Sequence, residues 1–104
     1  MYVIGVCACP SGIAHTYMAA DSLERKAKKL GYKIKIETDG SGGVENALTE
    51  KDIQEADYVI LATDISVPTE RFRGKKVLII SVTDAIRKVD DVYNKLKNDE
   101  VSIY

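Results

Sequence analysis

Residues 2–8, Tyr-Val-Ile-Gly-Val-Cys-Ala, form an unbroken apolar run rich in β-branched side chains that stops at Cys9-Pro10-Ser11-Gly12. A run this short, with no polar residue alternating through it, predicts a strand covered on both faces. Just past Gly12 the period changes. Ala20, Leu23, Ala27 and Leu30 fall on one helical stripe, while Asp21, Glu24, Arg25, Lys28 and Lys29 fall off it. A helix from about Ala14 to Leu30 follows, closed by Lys26, Lys28 and Lys29 at its negative pole and by Gly31 as a left-handed cap.

The remainder repeats the alternation. Tyr32 to Thr38 has period two, with Ile34 and Ile36 on one face and Lys33, Lys35 and Glu37 on the other, which predicts a half-exposed edge strand. Asp39 to Gly43 reads as a flexible turn-forming loop, and Thr49-Glu50-Lys51-Asp52 as a capping box opening a short helix to about Ala56. Tyr58 to Ala62 and Val77 to Ile80 are two more buried-type strands, separated by a polar loop from Asp64 to Gly74. Ala85, Ile86, Val89, Val92, Tyr93 and Leu96 fit one final helix with a break near Asp90. The fold expected is α/β: a Rossmann-like three-layer αβα arrangement, one domain over residues 1–104. Its mostly parallel sheet has four strands in the order 2-1-3-4, with a Cys-containing phosphate loop after strand 1.

Composition narrows the function. Fifteen Lys+Arg against sixteen Asp+Glu leave a formal net charge of -1, so no basic excess exists to neutralise a nucleic-acid backbone. No apolar run approaches the roughly 20 residues that span a bilayer, and Met1 to Gly5 lacks the basic opening of a signal peptide, so a cytosolic location is expected. Two cysteines are too few for a disulfide scaffold, and with a single histidine they fall short of a metal set; no metal and no cofactor are expected.

The loop joining the first strand to the first helix is where ligands bind in such sheets. Pro10, Ser11, Gly12, Ile13, Ala14, His15 and Thr16 can turn several backbone N–H groups toward one point ahead of a helix N-terminus, which makes a cradle for an anion. Gly12 permits conformations that a side chain forbids, and Pro10 restrains Cys9. The positive field there favours a thiolate, so Cys9 is the candidate nucleophile. His15 sits in the first turn of the helix, where the dipole disfavours its charged form, and as a neutral donor can bond a phosphoryl oxygen or the sulfur; alternatively it is an exposed residue of that turn. Ser11 and Thr16 add hydroxyl donors or cap the helix. Cys7 lies inside the apolar run and is read as core.

Two families resemble this loop. Low-molecular-weight tyrosine phosphatases place a nucleophilic cysteine, five residues and then an arginine between the first strand and helix. His15 stands at the arginine position here and lacks that bidentate fork, and neither proline follows the aspartate that would serve as general acid. The segment Cys9-Pro10-Ser11-Gly12-Ile13-Ala14-His15-Thr16 is more similar to the Cys-Pro-Thr-Gly-Ile-Ala-His-Thr signature of fructose-type enzyme IIB. That protein is a component of the bacterial phosphoenolpyruvate-dependent sugar phosphotransferase system. The likeness continues through Glu37-Thr38-Asp39-Gly40-Ser41, Gly43 to Thr49, Ala56 to Ile65 and Arg71-Phe72.

That resemblance implies a phosphocarrier in which Cys9 receives phosphate from a phosphohistidine of enzyme IIA and passes it to a fructose-class sugar. Membrane enzyme IIC, a separate polypeptide, would carry that sugar and hold the chain at the membrane. Ser11 keeps the hydroxyl of the usual threonine, and Asp39 replaces a common glutamine, so no binding role is carried onto it. A weak phosphatase and a regulatory phospho-binding module are the alternative readings.

Overall fold

The structure, a computed structural model, describes residues 1–10, 13–40 and 43–104. In chain order the elements are β1 (Tyr2–Ala8), α1 (Ile13–Lys29), β2 (Lys33–Gly40), β3 (Gly43–Glu45), α2 (Glu50–Glu55) and β4 (Tyr58–Thr63). A 3-10 turn (Glu70–Phe72), β5 (Lys76–Ile80), α3 (Val82–Arg87), α4 (Val89–Lys97) and β6 (Ser102–Ile103) complete the chain.

Every residue of β1 is buried. It pairs in parallel with β2 on one side and with β4 on the other, and β5 pairs in parallel with β4. Successive side chains point to opposite faces of a strand. Val3 and Cys7 accordingly join Ala19, Leu23 and Ala27 of α1, Val82 and Ala85 of α3, and Val92, Tyr93 and Leu96 of α4 in one core. Tyr2, Ile4 and Val6 join Leu48, Ala56, Val59, Leu61, Phe72 and Val77 in a second core, under α2 and the 3-10 turn. Tyr93 is buried in the first core, where its hydroxyl donates to the Leu23 carbonyl at 2.7 Å.

Among the described residues the sheet is mixed and has six strands, in the order β3-β2-β1-β4-β5-β6, where the pattern gave four. The additions are antiparallel edges: β3 folds back on Thr38 to Gly40, and β6 pairs with Lys76 and Val77. Both are short and exposed, so they carry no run or alternation to read. The expected loop from Asp39 to Gly43 is largely strand, with Ser41 and Gly42 outside the described residues. The loop after Asp64 contains the 3-10 turn, which buries Phe72. The final helix is two, divided at Lys88 rather than near Asp90, and Asp90 and Asp91 then favour the N-terminal pole of α4. At Thr49 the capping box forms with Asp52 as the pattern indicates.

Gly5 sits where β1 passes closest to its neighbours: a Cβ there would lie 2.8 Å from Ile36 Cδ1 and 2.8 Å from the Ile60 carbonyl oxygen. The backbone oxygen cannot yield without moving β4. Gly5→Ala should therefore destabilise the protein by about 1–3 kcal/mol, as overpacked cores do, read as a lower urea midpoint.

Candidate functional site at the carboxyl end of the central strand

Strands β2, β1 and β4 end level with one another, Ala8 lying in register with Asp39 on one side and Thr63 on the other. Cys9 is the next residue. The Asp64 N–H donates to the Ala8 carbonyl at 2.9 Å, tying the start of the β4–β5 loop to the last residue before the cysteine. Asp64 Oδ1 also accepts from the Val82 N–H at 3.2 Å, beside the Ser81 cap of α3. Because the chain leaves β1 toward β2 and later returns to β4 on the other side, Cys9 stands where the strand order reverses, the position at which open α/β sheets bind ligands.

Cys9 is 9% exposed and packs at the margin of the α1-side core. Pro10, Ala14 and His15 are exposed, and Thr16 is fully buried in the first turn of α1. Ser11, Gly12 and the side chain of Ile13 lie outside the described residues, so that part of the expected phosphate loop is not described. His15 borders a shallow recess with Met18, Thr83, Ile86 and Arg87, between the start of α1 and α3. Cys7 is completely buried, and burial, with Glu24 adding to it, pushes its thiol up to about 12. No disulfide joins the two cysteines. Asp39 is half-exposed on β2, between Ala8 and Val44 of the neighbouring strands.

One group escaped the pattern reading. Strand alternation puts Glu37 on the solvent side, yet it is 5% exposed, the one charged side chain buried among the described residues. Its carboxylate accepts from Arg71 Nη1 at 3.0 Å and Nη2 at 2.5 Å, and from the Leu48 N–H at 2.9 Å. Asn46, in the left-handed region at φ 55°, donates from Nδ2 to the Ile36 carbonyl at 3.1 Å. The Tyr17 hydroxyl of α1 donates to Glu45 of β3 at 2.7 Å. The sequence signals were present in Glu37, Asn46 and Arg71, but their partners are distant in the chain.

A family model described as "PTS system, Lactose/Cellobiose specific IIB subunit" matches residues 4–95. The chain belongs to the enzyme IIB family of the phosphotransferase system. It is 48% identical over 96 residues to "PTS system fructose-like EIIB component 2" of Escherichia coli K12, covering 91% of both chains. It is also 48% identical over 102 residues to "PTS system fructose-specific EIIABC component" of Bacillus subtilis, where it covers 98% of this chain and 16% of that longer protein. A domain of the fructose-specific IIABC component of Borrelia burgdorferi superposes with a TM-score of 0.94 at 43% identity, over 99% of this chain and 97% of that one. Enzyme IIB components are phosphotransferases of sugar uptake, and this chain shares that role.

In this enzyme IIB the buried carboxylate makes stability sensitive to acid. Burial pushes Glu37 up, but the Arg71 hydrogen bonds, the Leu48 N–H and the charges of Arg71 and Lys35 outweigh it, and the net shift is downward. A carboxyl held below its unfolded value of about 4.3 contributes fully above that pH, and its contribution is lost as pH falls through the folded value. The urea midpoint of the wild type should therefore fall more steeply below about pH 4.3 than that of Glu37→Gln, whose side chain does not titrate. Parallel curves would show that the carboxylate carries no such linkage.

Proposed function

We propose that this chain is a single enzyme IIB domain that carries a phosphoryl group on Cys9. It takes the group from a phosphohistidine of enzyme IIA and gives it to fructose, or a fructose-like sugar, held by membrane enzyme IIC. The observation that carries this reading is the position of Cys9: the residue after the fully buried central strand, at the reversal of strand order and just ahead of α1. The relatives named for fructose support the sugar class. Relatives named EIIABC and EIIBC join such a domain to the other components in one chain, which supports enzymes IIA and IIC as partners.

The chemistry is two in-line transfers. The Cys9 sulfur attacks phosphorus, the P–N bond breaks, and the electron pair stays on the donor imidazole nitrogen, which takes a proton from solvent. A sugar hydroxyl then attacks the same phosphorus, the S–P bond breaks, the thiolate leaves with its electron pair, and the hydroxyl proton passes to solvent. Pro10, Ser11, Gly12, Ile13, Ala14, His15 and Thr16 are assigned as the phosphate-binding loop, on their place between Cys9 and the body of α1. His15, exposed on the first turn of α1, donates to a phosphoryl oxygen. The domain contributes positioning and electrostatic stabilisation. No helix among the described residues is long and apolar enough to cross a bilayer. Enzyme IIC, to which relatives join such a domain, holds the chain at the membrane in this reading.

Sugar phosphate formation in a mixture of phosphorylated enzyme IIA, enzyme IIC vesicles and this chain tests the reading. Cys9→Ser should abolish it, Cys7→Ala should retain it, and His15→Ala should slow it about tenfold or more while the backbone nest remains. Full activity of Cys9→Ser would overturn the carrier assignment. Hydrolysis of an aryl phosphate without sugar phosphate would point to a phosphatase.

A further inference from the structure

The Glu37–Arg71 pair reaches across the sheet. Arg71 lies on the connection leaving β4 and Glu37 on β2, the two strands that flank β1. Glu37 stands in register with Val6, which is 1% exposed, on the face where Phe72 of the 3-10 turn also packs. The guanidinium sits over the Phe72 ring, 4.8 Å from its centroid. The same carboxylate holds the Leu48 N–H, and Asn46 bonds the neighbouring Ile36 carbonyl. One buried carboxylate thus fixes two separate segments to β2, the stretch from Asn46 to Leu48 and the turn at Arg71.

Both segments belong to connections that start at the Cys9 end of the sheet. The first follows β3, whose Val44 pairs with Asp39 beside Ala8; the second begins at Asp64, bonded to the Ala8 carbonyl. Stability gives little reason for such a pair, because a buried ion pair can often be exchanged for well-packed apolar side chains at no net cost. What an apolar pair lacks is direction: the fork admits one geometry, and with it one placement of both connections.

We infer that Glu37 and Arg71 are positioning residues that hold the two connections flanking Cys9 in the arrangement the phosphodonor docks against. This inference rests on the carrier reading of Cys9. Neither residue touches the reacting atoms; they act through the docking rim.

The informative variant is Glu37→Gln/Arg71→Met, which keeps an acceptor for the Leu48 N–H, buries no unpaired charge and releases only the turn. Arg71→Met alone strands a buried carboxylate and can fail by unfolding. For the double variant the KM for phosphorylated enzyme IIA should rise about tenfold or more while kcat changes little, and the melting midpoint should stay near that of the wild type. Arg71→Lys, which keeps the charge without the fork, should fall between the two. The Phe72 and Arg73 amides, bonded to the Thr69 and Glu70 carbonyls and not to Glu37, should exchange with solvent about tenfold faster in the double variant.

A folded double variant with unchanged KM would overturn the inference. If the wild type accepts no phosphoryl group, the carrier reading fails, and the exchange measurement still decides the clamp: unchanged protection at Phe72 and Arg73 overturns it, faster exchange upholds it.

Discussion

Burial of β1 on both faces is the constraint from which the working end of the molecule follows. Seven consecutive residues are out of solvent, so β2 and β4 must lie on either side and helices must cover each face. A parallel strand of this kind cannot turn straight back, and the chain has to leave it into a helix that returns over the sheet. The residue at that exit is Cys9. Its neighbours are then set by register rather than by sequence proximity: Asp39 and Gly40 on one side, Thr63 and Asp64 on the other. The close approach at Gly5 belongs to the same constraint, since β1 can be this tightly enclosed only where one position along it has no side chain.

The two cysteines differ in burial, one inside β1 and one just past its end. They are two residues apart and point into the same core, yet Cys7 is sealed among α1, α3 and α4, where its thiol is pushed up to about 12, and Cys9 lies at the margin beside the start of α1. A sulfur in the first environment is a packing atom.

Much of this was legible in the chain because it is local. The apolar run to Ala8, the change of period at α1, the Lys-rich end with Gly31, and the Thr49–Asp52 box each involve residues a few positions apart, and each formed as its pattern indicates. The rest depends on partners far along the chain. Glu37 alternates like a solvent-facing residue and is buried only because Arg71, thirty-four positions later, arrives over β1 to pair with it. Strands β3 and β6 exist because an edge was free to receive them, and Phe72 is core because the loop carrying it folds back over the sheet. At the site, the Cys9 to Thr16 motif named a chemistry from its residue types, whereas the connections around it needed the register of β1, β2, β3 and β4.

The proposed carrier holds the phosphoryl group on the Cys9 sulfur, with the His15 imidazole only assisting. Peptide mapping by mass spectrometry of the wild-type protein, reduced and mixed at neutral pH with phosphorylated enzyme IIA, reads this directly. A single phosphoryl adduct is expected, fragmenting to a modified Cys9 with Cys7 and His15 unmodified. An adduct on His15, or none on Cys9 while enzyme IIA loses its phosphate, would contradict it.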